Sequence, residues 1–143
     1  MSVVDVAKAL ESRFSTGWTR TPIKWANVNF VVPEDINHNP QPYVAFFIRN
    51  GASEDIVLGS DSPEWRAYGV IIVNIFAPEN IGMGLLRQYA DIIRMLFLAQ
   101  PRDFTYANSG VIRLRVPSVN EIGILSGWCQ VNVVIPFSND FRQ

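Results

Sequence analysis

The chain has 143 residues, of which 48% are hydrophobic and only 17% charged, with a formal net charge of −1. That length predicts one domain over residues 1–143 with enough buried surface for its own core. The near-neutral charge removes the bulk attraction that nonspecific nucleic-acid binding needs, and one cysteine and one histidine leave no internal disulfide and too few soft ligands for a structural zinc site.

Val3, Val6, Ala7, Leu10 and Phe14 recur at helical spacing, predicting an amphipathic helix over residues 3–15, N-capped by Ser2 and stopped by Gly17. Ile23 and Trp25 alternate with Lys24 and Ala26 as a short strand. Val32 to Pro42 holds three prolines with Asp35, Asn37, His38 and Asn39, the composition of a surface loop. Tyr43 to Arg49 is apolar almost throughout, as in a strand covered on both faces. Asn50-Gly51 then signals a turn, with Ile56 to Leu58 as a short hairpin partner and Gly59 to Pro63 as a loop.

From Trp65 the chain alternates strictly, with Tyr68, Val70, Ile72, Asn74 and Phe76 on one face of a long strand that Ala77-Pro78 ends. Leu85, Leu86, Tyr89, Ile92, Ile93, Leu96 and Phe97 mark a broad helical stripe that Pro101 limits. Val111 to Val116 and Trp128 to Phe137 alternate again, giving two half-wet strands. Ser118 to Gly127 reads as a glycine-punctuated loop, and Ser138 to Gln143 as a polar tail that is disordered or reaches a neighbour. The order of elements predicts an α+β domain, an antiparallel or mixed sheet with two helices packed on one face.

No residues assemble into a convincing catalytic set. Gly82-Met83-Gly84 after a strand has the outline of a dinucleotide fingerprint, but Arg87 stands where a third glycine allows close helix packing, so a helix-entry turn is the better reading. His38 sits in its loop without a nearby nucleophile, and Cys129 in an alternating strand is an ordinary buried thiol. The pairs Glu54/Asp55 and Asp61/Glu64 lie among loop residues without the apolar setting that would split their pKa values. Arg113 and Arg115 share a strand face and keep it wet. Neither a basic leader with an apolar core nor a run of about 18 apolar residues occurs, so no secretory signal or membrane helix is expected and a reducing cytoplasm fits.

Two features point toward assembly. The charged share falls below the usual quarter, which describes either a weakly charged monomer or a surface hidden against copies or partners. Ile122, Ile124 and Leu125 stand in a stretch whose one charge is Glu121, and such a segment either tucks under the domain or contacts another chain.

The segments Thr21-Pro22-Ile23-Lys24-Trp25-Ala26-Asn27-Val28, Pro42-Tyr43-Val44, Tyr68-Gly69, Val73-Asn74-Ile75-Phe76-Ala77-Pro78, Gly127-Trp128 and Val133-Val134-Ile135-Pro136-Phe137 together resemble phage tail-terminator-like proteins of the lambda tail protein U type. The resemblance covers most of the chain and rests on structural motifs, with no family catalytic residues to carry over. It implies a virion protein made in the bacterial cytoplasm, which caps the tail tube as a six-membered ring and docks to head-completion proteins. Cofactor, membrane and sequence-specific nucleic acid have no part in it. The loops Gly51 to Pro63 and Ser118 to Gly127, with Glu54, Asp55, Asp61, Glu64, Ile122, Ile124 and Leu125, are the expected contact residues. A rival reading is a monomeric α+β binding domain with a ligand near Trp25, Tyr43 and Trp128; a hydrolase using His38 ranks last.

Overall fold

A computed structural model describes residues 3–55, 64–105 and 110–142. Helix α1 (Val3–Gly17) leads into β1 (Ile23–Trp25), β2 (Tyr43–Asp55) and β3 (Glu64–Pro78). Helix α2 (Gly84–Leu98) and β4 (Asp103–Phe104), β5 (Val111–Leu114), β6 (Ser118–Leu125) and β7 (Trp128–Arg142) complete the chain. The strands form one mixed sheet in the order β1-β2-β3-β7-β5-β4, with β6 also paired to β7. Among the described residues only β1 and β2 run parallel; the other strand pairs are antiparallel. This is the expected α+β arrangement of two helices on a sheet.

Strand β7 organises the sheet. It pairs with β3 along its whole length, while its other edge is shared by β5, beside Phe137 to Asp140, and β6, beside Trp128 to Val134. Residues 111–125 thus follow one course broken at Arg115-Val116-Pro117, where proline has no N–H to give a ladder. The Arg115 amide still donates to the Pro136 carbonyl at 2.8 Å.

The alternating strands sort their side chains as a period of two requires. Ile71, Val73, Ile75 and Ala77 of β3 and Cys129, Val131, Val133, Ile135 and Phe137 of β7 are buried on one face. Val6, Ala9, Leu10 and Phe14 of α1 and Leu86, Ala90, Ile93 and Phe97 of α2 join the same core. Phe14 is its hub: its ring lies 5.0 Å from Phe46, 6.2 Å from Trp18 and Phe97, and 6.4 Å from Trp25, centroid to centroid. One side chain therefore links both helices to β1 and β2.

Several expectations need correction. Asn50-Gly51 is not a turn; β2 continues past it to Asp55 with a bulge between Asn50 and Ser53. The ladder offered by β3 outweighs the local turn preference, and Gly51 passes so near the Tyr68 carbonyl that an added Cβ would lie 3.2 Å from it. The proposed partner Ile56 to Leu58 and the loop from Gly59 to Pro63 lie outside the described residues, as does Ser2. Ser118 to Leu125 is a strand and not a loop. The supposed tail from Ser138 through Arg142 extends β7, and Ser138, Asn139 and Asp140 are buried. β4, two residues long, had no periodicity to betray it.

The segment from Pro33 to Gln41 is an ordered surface loop. Asp35 accepts the amides of Asn37 at 2.8 Å and Asn39 at 2.9 Å, an Asx motif, and the Gln41 amide returns to the Pro33 carbonyl. The hydrogen bond from the Asn39 amide, ahead of the others, holds the Asp35 carboxyl below its usual range.

Candidate assembly surface

The segment Ser118–Leu125 becomes a hairpin arm because Ser126-Gly127 can turn in two residues. Both have positive φ, 52° and 83°, as the turn that suits twisted antiparallel strands demands, and Leu125 pairs with Trp128 across it. A bulge lies between Glu121 and Gly123, which leaves Ile122 as an extra residue without a cross-strand partner in the register. Every residue of β6 is exposed.

The aliphatic side chains on this arm are the ones singled out in the sequence, and the structure leaves them exposed on one strand, with Ile124 opposite Cys129 and Leu125 opposite Trp128. Ile122 is 55% exposed, Ile124 65% and Leu125 75%. Ile124 shares a shallow groove of about 210 Å³ with Pro78, Asn80, Gly82, Met83 and Cys129. The Cys129 thiol is buried there, its Sγ 3.3 Å from Met83 Sδ, an inert packing contact between soft atoms.

Two ties hold the arm in place. Arg87 of α2 donates to Glu121 at 2.7 Å, and that hydrogen bond, with the charge attraction behind it, lowers the Glu121 pKa and raises that of Arg87. The Glu79 amide donates to the Gly127 carbonyl at 3.0 Å. Arg87, the residue that broke the dinucleotide pattern, thus braces a hairpin, and Gly82 at φ 83° serves the turn into the helix.

The acidic residues fall elsewhere. Glu54 and Asp55 end β2, Glu64 begins β3, and Asp61 lies outside the described residues. None of the three placed acids is in a loop, contrary to expectation, because the β2–β3 ladder carries them to Asp55 opposite Trp65. Glu54 accepts the Tyr68 hydroxyl at 2.7 Å. They occupy the end of β3 opposite its Pro78 terminus, where the β6–β7 turn sits. Along the 15-residue strand that is roughly 46 Å at about 3.3 Å per residue.

The aromatics of the rival pocket do not converge. Trp25 packs in the core against Phe14 and Phe46, whereas Tyr43 stacks on Phe76 and meets Trp128 edge to face on the opposite, helix-free face. His38 is exposed in its loop with Glu34 at 3.1 Å, and no nucleophile contact to it is found among the described residues.

One charged cluster escaped the sequence reading. Asp140 accepts from Arg66 at 2.7 and 3.0 Å and also from Arg113. Arg66, followed by Arg113, holds the carboxyl below its usual range against the opposing effect of burial. The partners are 74 and 27 residues apart in the chain, so no local spacing could announce them. Beside them lies an open depression of about 450 Å³ lined by Gln100, Arg102, Asp103, Arg113, Leu114 and Arg115.

A family model described as phage tail terminator protein matches residues 5–137. The chain belongs to the phage tail terminator family. It is accordingly a structural component of a phage tail, as the sequence resemblance implied. No curated protein matches this family member. One solved structure superposes on it with a TM-score of 0.70 at 19% identity, covering 97% of this chain and 96% of its own, a likeness of fold. Among the described residues of this terminator-family chain, no helix is long and apolar enough to cross a membrane.

Proposed function

We propose that this protein ends the tail tube as a ring of identical subunits, with six as the expected number, and joins the tube to the head-completion proteins. Its work is shape-matched docking, with no bond made or broken. The observation that carries this reading is the aliphatic edge of β6, exposed in a member of a tail terminator family. Monomeric soluble proteins seldom leave such a run open on a sheet edge. A ring needs heterologous contacts, one patch meeting a different one on the next copy, and the β6 arm supplies the first patch.

The two ends of the long strands suit the axial partners. One end carries Glu54, Asp55 and Glu64, the other the β6–β7 turn, so a subunit standing in the ring presents chemically distinct surfaces to tube and head. The test is the triple substitution Ile122→Ser, Ile124→Ser, Leu125→Ser. Circular dichroism is expected to stay unchanged while rings disappear from negative-stain images and light scattering on concentrated protein or on tail tubes. Rings that persist at wild-type abundance would refute the role of this edge.

A further inference from the structure

We infer that the β6 edge of one subunit pairs antiparallel with the β1 edge of the next, so that one sheet runs on from subunit to subunit; this rests on the ring reading above. Both strands are outermost. Among the described residues β6 pairs with β7 alone and β1 with β2 alone, which leaves each with an outer edge, short on the β1 side, where the Trp25 carbonyl accepts the Val28 amide.

Strand sense decides the mode. β1 runs parallel to β2, β2 opposes β3, β3 opposes β7 and β7 opposes β6, so β6 points opposite to β1. Two copies set side by side in the same orientation therefore bring β6 against β1 as an antiparallel pair, the more stable ladder per residue. The faces also agree. Lys24, Ala45, Asn74, Asn132 and Asn120 form one cross-strand row from edge to edge, so Lys24 and Asn120 both stand on the helix-free face and would extend the row across the junction.

The chemistry of the two edges is complementary. Exposed Arg20 and Lys24 lie just before and within β1, and exposed Glu79 lies beside the β6–β7 turn, where its amide meets the Gly127 carbonyl, while Glu121 is already paired with Arg87. The connection leaving β1 carries Val31, 89% exposed, and Ile36, 94% exposed, aliphatic counterparts for Ile122, Ile124 and Leu125. A β6-to-β6 contact would instead close as a two-fold dimer.

Cysteine crosslinking tests the pairing, since the native Cys129 is buried. Lys24→Cys protein and Asn120→Cys protein are mixed at ring-forming concentration with a short bismaleimide that tolerates a register shift of about two residues, roughly 7 Å. The expected result is a crosslinked dimer in the mixture, none in either variant alone or in wild type, and a ladder of multimers from the double variant. Crosslinking of Asn120→Cys with itself, or no crosslink in a mixture whose rings are visible, overturns the edge pairing and leaves the ring reading standing. Absence of rings from wild-type protein, free and on tail tubes, overturns both.

Discussion

Asp140 shows how a single side chain can gather distant strands. It sits on β7, receives Arg66 from β3 and Arg113 from β5, and is 9% exposed. Because its folded pKa lies below the unfolded carboxylate value of about 3.9, its contribution is complete above that value and is lost as pH falls through the folded pKa. Asp140→Asn is expected to lower the urea midpoint at pH 7, and the gap from wild type to narrow progressively from pH 5 down to pH 2. Parallel curves across that window would refute the assignment. None of this was legible beforehand: the sequence shows Arg113 as a wet strand residue and Asp140 as part of a polar tail, because local alternation says nothing about which strand comes alongside. Gly69 makes the same point sterically, since a Cβ there would meet the Phe137 ring and the Arg49 carbonyl oxygen at 2.9 Å.

Helices and strands were recovered where hydrophobic periodicity is long and uninterrupted, as in α2, β3 and the first part of β7. Their junctions were not. Arg13 of α1 donates to the carbonyls of Leu96, Ala99 and Pro101 and lies over the Phe104 ring at 5.3 Å. It thereby satisfies acceptors that the end of a helix leaves open and places a cation where the helix dipole favours one; burial lowers its own pKa. Arg13→Ala is expected to cost about 1–3 kcal/mol in chemical denaturation, with Arg13→Lys recovering part of it through the remaining charge. A loss below about 0.5 kcal/mol, the size of an ordinary surface change, would refute the clamp. The β6 arm was misread for a related reason: its glycines and its exposure on both faces erase the alternation that one buried face imprints, although Ser126-Gly127 between two apolar runs was a usable hairpin signal.

At the scale of the whole molecule the core depends on Phe14, whose ring contacts reach α2, β1 and β2 as well as Trp18 just past its own helix. Phe14→Ala is expected to cost about 3–5 kcal/mol, a large share of the roughly 5–15 kcal/mol that holds a domain folded. Thermal and urea unfolding should shift together by that amount; a change under about 1 kcal/mol would show that the helices are held to the sheet independently of it. By itself the amino-acid sequence determined the composition of the two sheet faces, the amphipathic helices and the resemblance to tail terminators, since each rests on residues close together in the chain. Only the tertiary structure decided that β7 holds β3 on one side and the broken β5–β6 course on the other, which edge stays open, and where the buried carboxylate finds its arginines. Those choices depend on contacts between residues tens of positions apart, where burial and pairing across the sheet override what any short segment prefers alone.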